Sequence, residues 1–178
     1  MNREQMLRAA AVVLTRQPDA TQTELADALG ISRATLHRRF ADRSRLIDAL
    51  SELARSQVSE SLREARLEEG TATEAVRRLV ASTLPHAELL GYLSAQTRII
   101  YSRDEIEAWA QVHSLIRDVF SRGQKAGEIR TDMTPAWLTE VCTGLIAVAG
   151  WSIQDERIAR RDAPFLVTQT IIDATTVR

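Results

Sequence analysis

One cysteine, four prolines and seven glycines in 178 residues leave this chain few of the usual devices of a small β fold. The single thiol, Cys142, excludes an internal disulfide framework. Scarce turn formers and the absence of sustained apolar–polar alternation exclude a sandwich or barrel and leave an all-α chain. The three histidines, His37, His86 and His113, are scattered and match no zinc spacing, so no metal and no cofactor are expected. No Walker loop, dinucleotide fingerprint or nucleophile elbow is present, and enzymatic chemistry is left without a motif. The longest uncharged stretch, Val141 to Gln154, is short for a bilayer and is interrupted by Gly, Thr and Ser, so no membrane partner is expected. The start of the chain leads into an amphipathic helix and has no apolar core of a signal peptide, which makes a cytoplasmic location the expectation.

Charge is nearly balanced at −1, which by itself disfavours a polyanionic partner. Its distribution says otherwise. Residues 1–50 hold eight Arg and six acids, whereas residues 51–178 hold fifteen basic and eighteen acidic residues. Between Ile31 and Arg45 there are five arginines and one acid, a local charge of +4. A patch of that kind is what phosphate neutralisation and counterion release require.

The patch lies in Thr21 to Leu46, which reads as two short helices about a tight turn. Thr21 and Glu24 have capping-box spacing. Leu25, Ala26 and Leu29 make an apolar stripe, and Ala26 is small where two helices would cross closely. Gly30 stands where the first helix ends and a left-handed residue is needed. Ile31 plugs the corner, Ser32 caps the next helix, and Leu36 and Phe40 face inward. Outward the second helix offers Arg33, Ala34, Thr35, His37, Arg38 and Arg39, with Arg43 and Arg45 beyond. This is a helix-turn-helix with its reading helix presented to a major groove. The expected DNA-facing set is Thr21, Gln22, Ser32, Arg33, Ala34, Thr35, His37, Arg38 and Arg43. Arginine suits guanine or phosphate, the Thr methyl suits thymine, Ala34 permits close approach, and Arg43 would clamp phosphate.

The run from Ile31 to Leu50 resembles the second half of the DNA-binding domain of TetR-family transcriptional regulators. Ser32, Arg33, Ala34, Thr35, Leu36, Phe40 and Arg43 fit that family's pattern. His37 departs from it, standing where the family usually has Tyr, so an imidazole replaces a phenol at a phosphate contact. The short connection RQPDA before the second helix also lacks the aromatic residue often found there. The resemblance is specific over residues 5–50. It implies an all-helical homodimer with a helix-turn-helix domain at residues 1–46 and an effector-binding and dimerisation domain at residues 47–178.

Periodicity along the rest of the chain gives about nine helices. Helix one turns Leu7, Ala10, Ala11 and Leu14 inward. Helix four starts at an Asp42 cap and runs to Gly70, unbroken from the reading module into the remainder. Pro85 closes or kinks helix five. Leu89, Leu93 and Ile100 lie in helix six. Helix seven places Ile106, Trp109, His113, Ile116, Phe120 and Gly123 on one seam. Thr134 and Pro135 open helix eight, and a last helix spans about Asp162 to Thr175.

Helix eight is apolar on two faces, Trp137, Val141, Gly144, Val148 and Trp151 on one, and Leu138, Cys142, Leu145, Ala149 and Ile153 on the other. One face must be buried by a neighbour outside its own core. Gly144, Ala147 and Gly150 would admit a close partner helix. The expected dimer set is Val141, Gly144, Leu145, Val148, Trp151, Phe165, Val167, Ile171 and Ile172; the alternative is a helix central to a monomer. Small-molecule effectors of such regulators sit among helices four to seven, which nominates Tyr92, Gln96, Ile100, Trp109, Val112, His113 and Ile116. Each of these also reads as core, and His113 in particular as a core histidine bonded to a neighbour. Cys142 reads as a small buried apolar residue before a redox sensor.

The expectation is therefore a dimeric repressor on a palindromic double-stranded DNA operator, released by a small hydrophobic effector. An activator, or a regulator controlled by a protein partner, is the alternative. A small helical enzyme or interaction module with a purely structural helix-turn-helix is a third reading.

Overall fold

A computed structural model describes residues 2–96 and 103–176. Those residues form nine α-helices and one 3-10 turn: α1 (Arg3–Arg16), α2 (Gln22–Ala28), α3 (Arg33–Arg39), α4 (Arg43–Glu64), α5 (Ala72–Thr83), the turn Leu84–His86, α6 (Ala87–Ser94), α7 (Arg103–Lys125), α8 (Pro135–Gln154) and α9 (Ala163–Thr175). No strand is present among them; one isolated antiparallel bridge joins Ile129 to Thr176. The chain is all-α, with a helix-turn-helix followed by a helical C-terminal part.

Local chemistry sets most boundaries. Asn2, Thr21 and Thr71 each form a capping box, with Gln5, Glu24 and Glu74, and Ser32, Asp42 and Thr134 cap α3, α4 and α8 through single side-chain acceptors. These caps satisfy backbone N–H groups that a helix start leaves without partners. The Glu24 and Glu74 carboxylates lie below their ordinary range because the Thr21 and Thr71 amides donate to them. Pro85 falls in the 3-10 turn that separates α5 from α6.

One boundary differs from the sequence expectation. Helix α4 stops at Glu64 and not at Gly70. Arg66 turns left-handed (φ 46°), and the Arg78 guanidinium caps this end by donating to the carbonyls of Ala65, Arg66 and Glu69. Arg122 likewise donates to Leu67 and Gly70. Two arginines distant in sequence thus hold open a turn that a periodicity count continues as helix. Helix α8 begins at Pro135 behind its Thr134 cap, where the sequence places it, and is 20 residues long. It is the described helix long and apolar enough to cross a membrane. Leu138, Cys142, Ile146 and Ala149 account for much of that apolar content by packing in the core.

Two cores meet along α4. Met6, Leu7, Ala10, Leu14, Leu25, Leu36 and Phe40 gather with Leu46, Leu50 and Ala54 in the first, which α6 joins through Leu89, Tyr92 and Leu93. Val58 and Leu62 of the same helix enter the second, with α5, α7, α8 and α9. The 22 residues of α4 are unbroken, a rod of about 33 Å at the α-helical rise.

Helices α6 and α8 cross with almost no gap. A Cβ on Gly150 would stand 2.0 Å from the Ala87 carbonyl oxygen, and one on Gly91 would stand 2.9 Å from the Ala147 oxygen. The small-residue face expected to admit a partner chain is therefore split. Gly150 serves contact within the chain, Ala147 is 8% exposed, and Gly144 has nothing within 4 Å of a built Cβ. Trp151 reinforces the crossing by donating its indole N–H to the Gly91 carbonyl at 2.7 Å.

Candidate nucleic-acid interface and interior cavity

The turn between α2 and α3 is built by Gly30 at φ +65°, by the Ile31 amide donating to the Ala26 carbonyl (3.0 Å), and by the Ser32 hydroxyl accepting from the Thr35 amide (3.1 Å). Leu36 and Phe40 are 1% and 2% exposed, which anchors α3 in the first core beside α2. The Arg3 guanidinium lies 5.5 Å from the Phe40 ring centroid and covers it from the solvent side. With the inward residues fixed, Arg33, Ala34, His37, Arg38 and Arg39 are all exposed on one cationic surface.

Thr35 is half-buried, close to the Ser32 hydroxyl (2.9 Å) and accepting from Arg38 (3.2 Å). Those contacts hold Arg38 along the helix rather than leaving it free in water. Thr21 and Ser32 are exposed, and Gln22 is half-buried at the start of α2. Arg43 is placed differently. Its guanidinium donates to the Ala20 carbonyl at 2.6 Å and to the Pro18 carbonyl, tying the start of α4 to the α1–α2 connection. In this arrangement two of its five N–H donors are used by the fold, so Arg43 is a tie between α4 and the α1–α2 connection before it is the free phosphate clamp expected from the sequence pattern.

Behind the reading module, α4 to α8 enclose a cavity of about 540 Å³. Ser51 and Val58 face it from α4, Thr83 from α5, and Leu90, Leu93 and Ser94 from α6. Glu105, Ile106, Trp109, Val112, His113 and Ile116 line it from α7, and Glu140, Thr143, Gly144, Ile146 and Ala147 from α8. Trp109, Val112, His113 and Ile116 of the expected effector set thus come together. The others do not. Tyr92 is 2% exposed in the core beneath the reading module, Gln96 donates its side-chain amide to the Tyr92 carbonyl, and Ile100 lies outside the described residues. Burial pushes the Tyr92 phenol up, against the opposing charge and side-chain contact of Arg43.

His113 is not a packed core histidine. Its side chain is 41% exposed, and Nδ1 stands 3.9 Å from Oε1 of Glu140, beyond hydrogen-bond reach. Ile106, expected on the same inward seam, is 59% exposed. Both corrections have one cause: the first half of α7 borders a hollow, and only its second half, with Ile116, Val119 and Phe120, is close-packed. Sequence reasoning missed Ser51, Glu105 and Glu140. Ser51 accepts from the Trp109 indole N–H (3.3 Å) and donates to Glu105 (2.6 Å), a polar chain from α7 to the middle of α4. Its only signal in the sequence is a small polar residue on the inward face of α4.

The expected dimer residues also divide. Val148, Trp151 and Phe165 are 44%, 39% and 69% exposed, Gly144 is exposed, and Val141 and Leu145 are half-buried. Val167, Ile171 and Ile172 are 3%, 1% and 8% exposed, packed into this chain's own second core, and are unavailable to a partner. Helix α9 turns these three inward and leaves Phe165 and Leu166 out, so Leu166 and Trp137 (42% and 58% exposed) extend the outer face instead. Cys142 is fully buried, and burial pushes its thiol up to about 12.

A capped helix-turn-helix with a cationic second helix, joined by one rod to a hollow helical domain, defines a DNA-binding transcriptional regulator. The family profile described as winged helix-turn-helix DNA-binding matches residues 13–42; the described chain passes from α3 straight into α4, without a wing. The chain is 34% identical over 145 residues to the HTH-type transcriptional regulator NfxB of Pseudomonas aeruginosa, covering 80% of this chain and 78% of that protein. It is 26% identical over 159 residues to the HTH-type transcriptional repressor LfrR of Mycolicibacterium smegmatis, covering 89% and 82%. Among solved structures, TetR-like LfrR from Mycobacterium smegmatis in complex with proflavine superposes with a TM-score of 0.81 at 21% identity over 99% and 97% of the two chains. The ketosteroid regulator KstR2 of Mycobacterium tuberculosis gives 0.77 at 16% identity over 99% and 95%. The chain belongs to the TetR family of transcriptional regulators, and as such is a DNA-binding regulator and not an enzyme.

Proposed function

We propose that this protein is a homodimeric repressor that binds a palindromic operator and is released when a small molecule fills the cavity between α4 and α8. The observation that carries the reading is α4 itself. One rod has its first half in the core of the reading module and its second half in the core around the cavity, with Ser51 on the cavity wall between them. A ligand that moves α7 against α4 would tilt the module. Two modules related by a twofold must keep their spacing to enter successive major grooves, so a tilt in both weakens binding. LfrR is named a repressor and its structure holds proflavine, which favours repression and an effector over the activator reading.

The residues proposed to meet DNA are Thr21, Gln22, Ser32, Arg33, Ala34, Thr35, His37 and Arg38, with Arg43 holding the module in shape. The boundary proposed between reading and sensing parts falls at residues 46 and 47, although the first core reaches Ala54. A DNA partner supports a cytoplasmic location. The exposed apolar side chains of Trp137, Val148 and Trp151 on α8 and of Phe165 and Leu166 on α9 support a dimer, since a partner helix would take them out of water.

The test is a footprint on the DNA flanking the protein's own gene, titrated with salt. Two half-sites a helical turn or more apart, affinity falling steeply with salt, and about a tenfold or greater loss in Arg38→Ala are expected. Salt-insensitive binding, or wild-type affinity in Arg38→Ala, would remove the assignment of the reading face.

A further inference from the structure

We propose that His37 takes up a proton from solvent as α3 meets DNA, so that it contacts a backbone phosphate as an imidazolium. The proposal rests on reading α3 as the DNA-contacting helix. Leu36 and Phe40, both buried, fix the inward direction of α3. At about 100° per residue, Ala34 and Arg38 stand about 140° and 180° from that direction, and His37 stands about 80° from it, on the flank. A helix in a major groove turns its outermost side chains to base edges and its flanks to the phosphate walls. That placement gives Arg38 a base and His37 a phosphate.

The ring of His37 is left open where the other two histidines are engaged. His86 is half-buried with Nε2 3.0 Å from the Ser61 hydroxyl, and His113 faces Glu140. His37 is exposed and has no bonded partner among the described residues. Its own helix carries Arg33 one turn earlier and Arg38 and Arg39 beside it. Around α3, the second helix brings Glu24 and Asp27, and the start of α4 brings Asp42, Arg43 and Arg45. Helix α1 brings Arg3 over Phe40, while its Glu4 and Arg8 pair with each other. The Thr21 amide donates to Glu24 and the Arg45 amide to Asp42. No carboxylate among the described residues of the module pairs with His37, so the anion it can meet is the one that DNA supplies. An anion beside an imidazole favours its charged form, and imidazole is the side chain that exchanges a proton near neutral pH.

The experiment is fluorescence anisotropy with a rhodamine-labelled duplex carrying the DNA that flanks the protein's own gene. The full chain is titrated at pH 6, 7 and 8, each at several salt concentrations. Wild-type affinity is expected to fall by about tenfold or more from pH 6 to pH 8. The slope of log affinity against log salt should be steeper at pH 6 by about 0.9 per reading module, because each imidazolium neutralises one phosphate. A neutral imidazole that only hydrogen-bonds would leave that slope unchanged. His37→Gln should respond to pH by no more than about twofold, and His37→Lys, charged throughout this range, should keep the steeper slope at pH 8. His86→Gln should keep the wild-type response. His37 is exposed, so its variants fold, and circular dichroism verifies this. A pH-independent wild type, a full response retained in His37→Gln, or a response lost in His86→Gln overturns proton uptake at His37 and leaves α3 as the reading helix. A wild type that binds the duplex at no pH overturns the reading of α3 together with this proposal.

Discussion

Arg38 and Arg43 carry the same charge, five residues apart, and their partners give them different work. Arg38 lies along α3, bonded to Thr35 and otherwise exposed; Arg43 is half-buried and donates to the Pro18 and Ala20 carbonyls. We expect Arg38→Ala to weaken DNA binding with an unchanged urea midpoint. Arg43→Ala should destabilise the fold by about 1–2 kcal/mol, the range for charged hydrogen bonds reduced by partial exposure. Equal midpoints for the two variants would show that the Arg43 contacts contribute nothing. Cys142 is a second case where surroundings decide chemistry. With its thiol pushed up to about 12 inside the core, it should not react with a thiol reagent such as dithionitrobenzoate at pH 8 until the protein is unfolded. Rapid reaction of the native protein would place the side chain nearer solvent than it stands here.

At the scale of elements, helix starts were legible and helix contacts were not. Thr21, Ser32, Asp42 and Thr134 are caps that a reader of the sequence finds by residue type and spacing alone, because capping is local. Gly150 shows the opposite. Its sequence environment suggested room for a partner helix, yet it admits α6 of its own chain, with the Ala87 oxygen 2.0 Å from where a Cβ would stand. Gly150→Ala should force α6 and α8 apart and cost about 1–3 kcal/mol or more, read from urea unfolding. Gly144 is the internal control, for no atom of another element among the described residues lies within 4 Å of its missing Cβ. Gly144→Ala should leave the chain as stable or up to about 1 kcal/mol more so, from helix propensity. A loss at Gly144 would report contact with a second chain.

For the whole molecule, the open question is what covers the outer face of α8 and α9. The face runs from Trp137 through Val148 and Trp151 to Phe165 and Leu166. Light scattering should give twice the 19.9 kDa chain mass at micromolar concentration. Val148→Asp, 44% exposed and therefore harmless to the monomer fold, should give the single mass with unchanged helicity. A wild-type protein that scatters as a monomer would remove the dimer, and an Asp variant that stays dimeric would move the seam elsewhere. Trp151 links this face to α6 through its bond to Gly91, and α6 packs on the reading module through Leu89, Tyr92 and Leu93. The same molecule thus has two routes into the DNA-binding part, α4 from the cavity and α6 from the outer face.

The amino-acid sequence by itself determined the helix-turn-helix, its caps, the cationic face of α3 and the all-α class. These depend on neighbours within a few residues, and 3.6-residue periodicity encodes them directly. Only the tertiary structure decided which apolar residues are core and which line a hollow or an open face. His113 and Ile116 share one seam of α7, yet one is 41% exposed and the other is buried. Val167 and Phe165 lie on one helix, yet one packs inward and the other stands in water. A hydrophobic pattern records that a side chain avoids water, not what it is set against; that is settled only when distant helices close on one another.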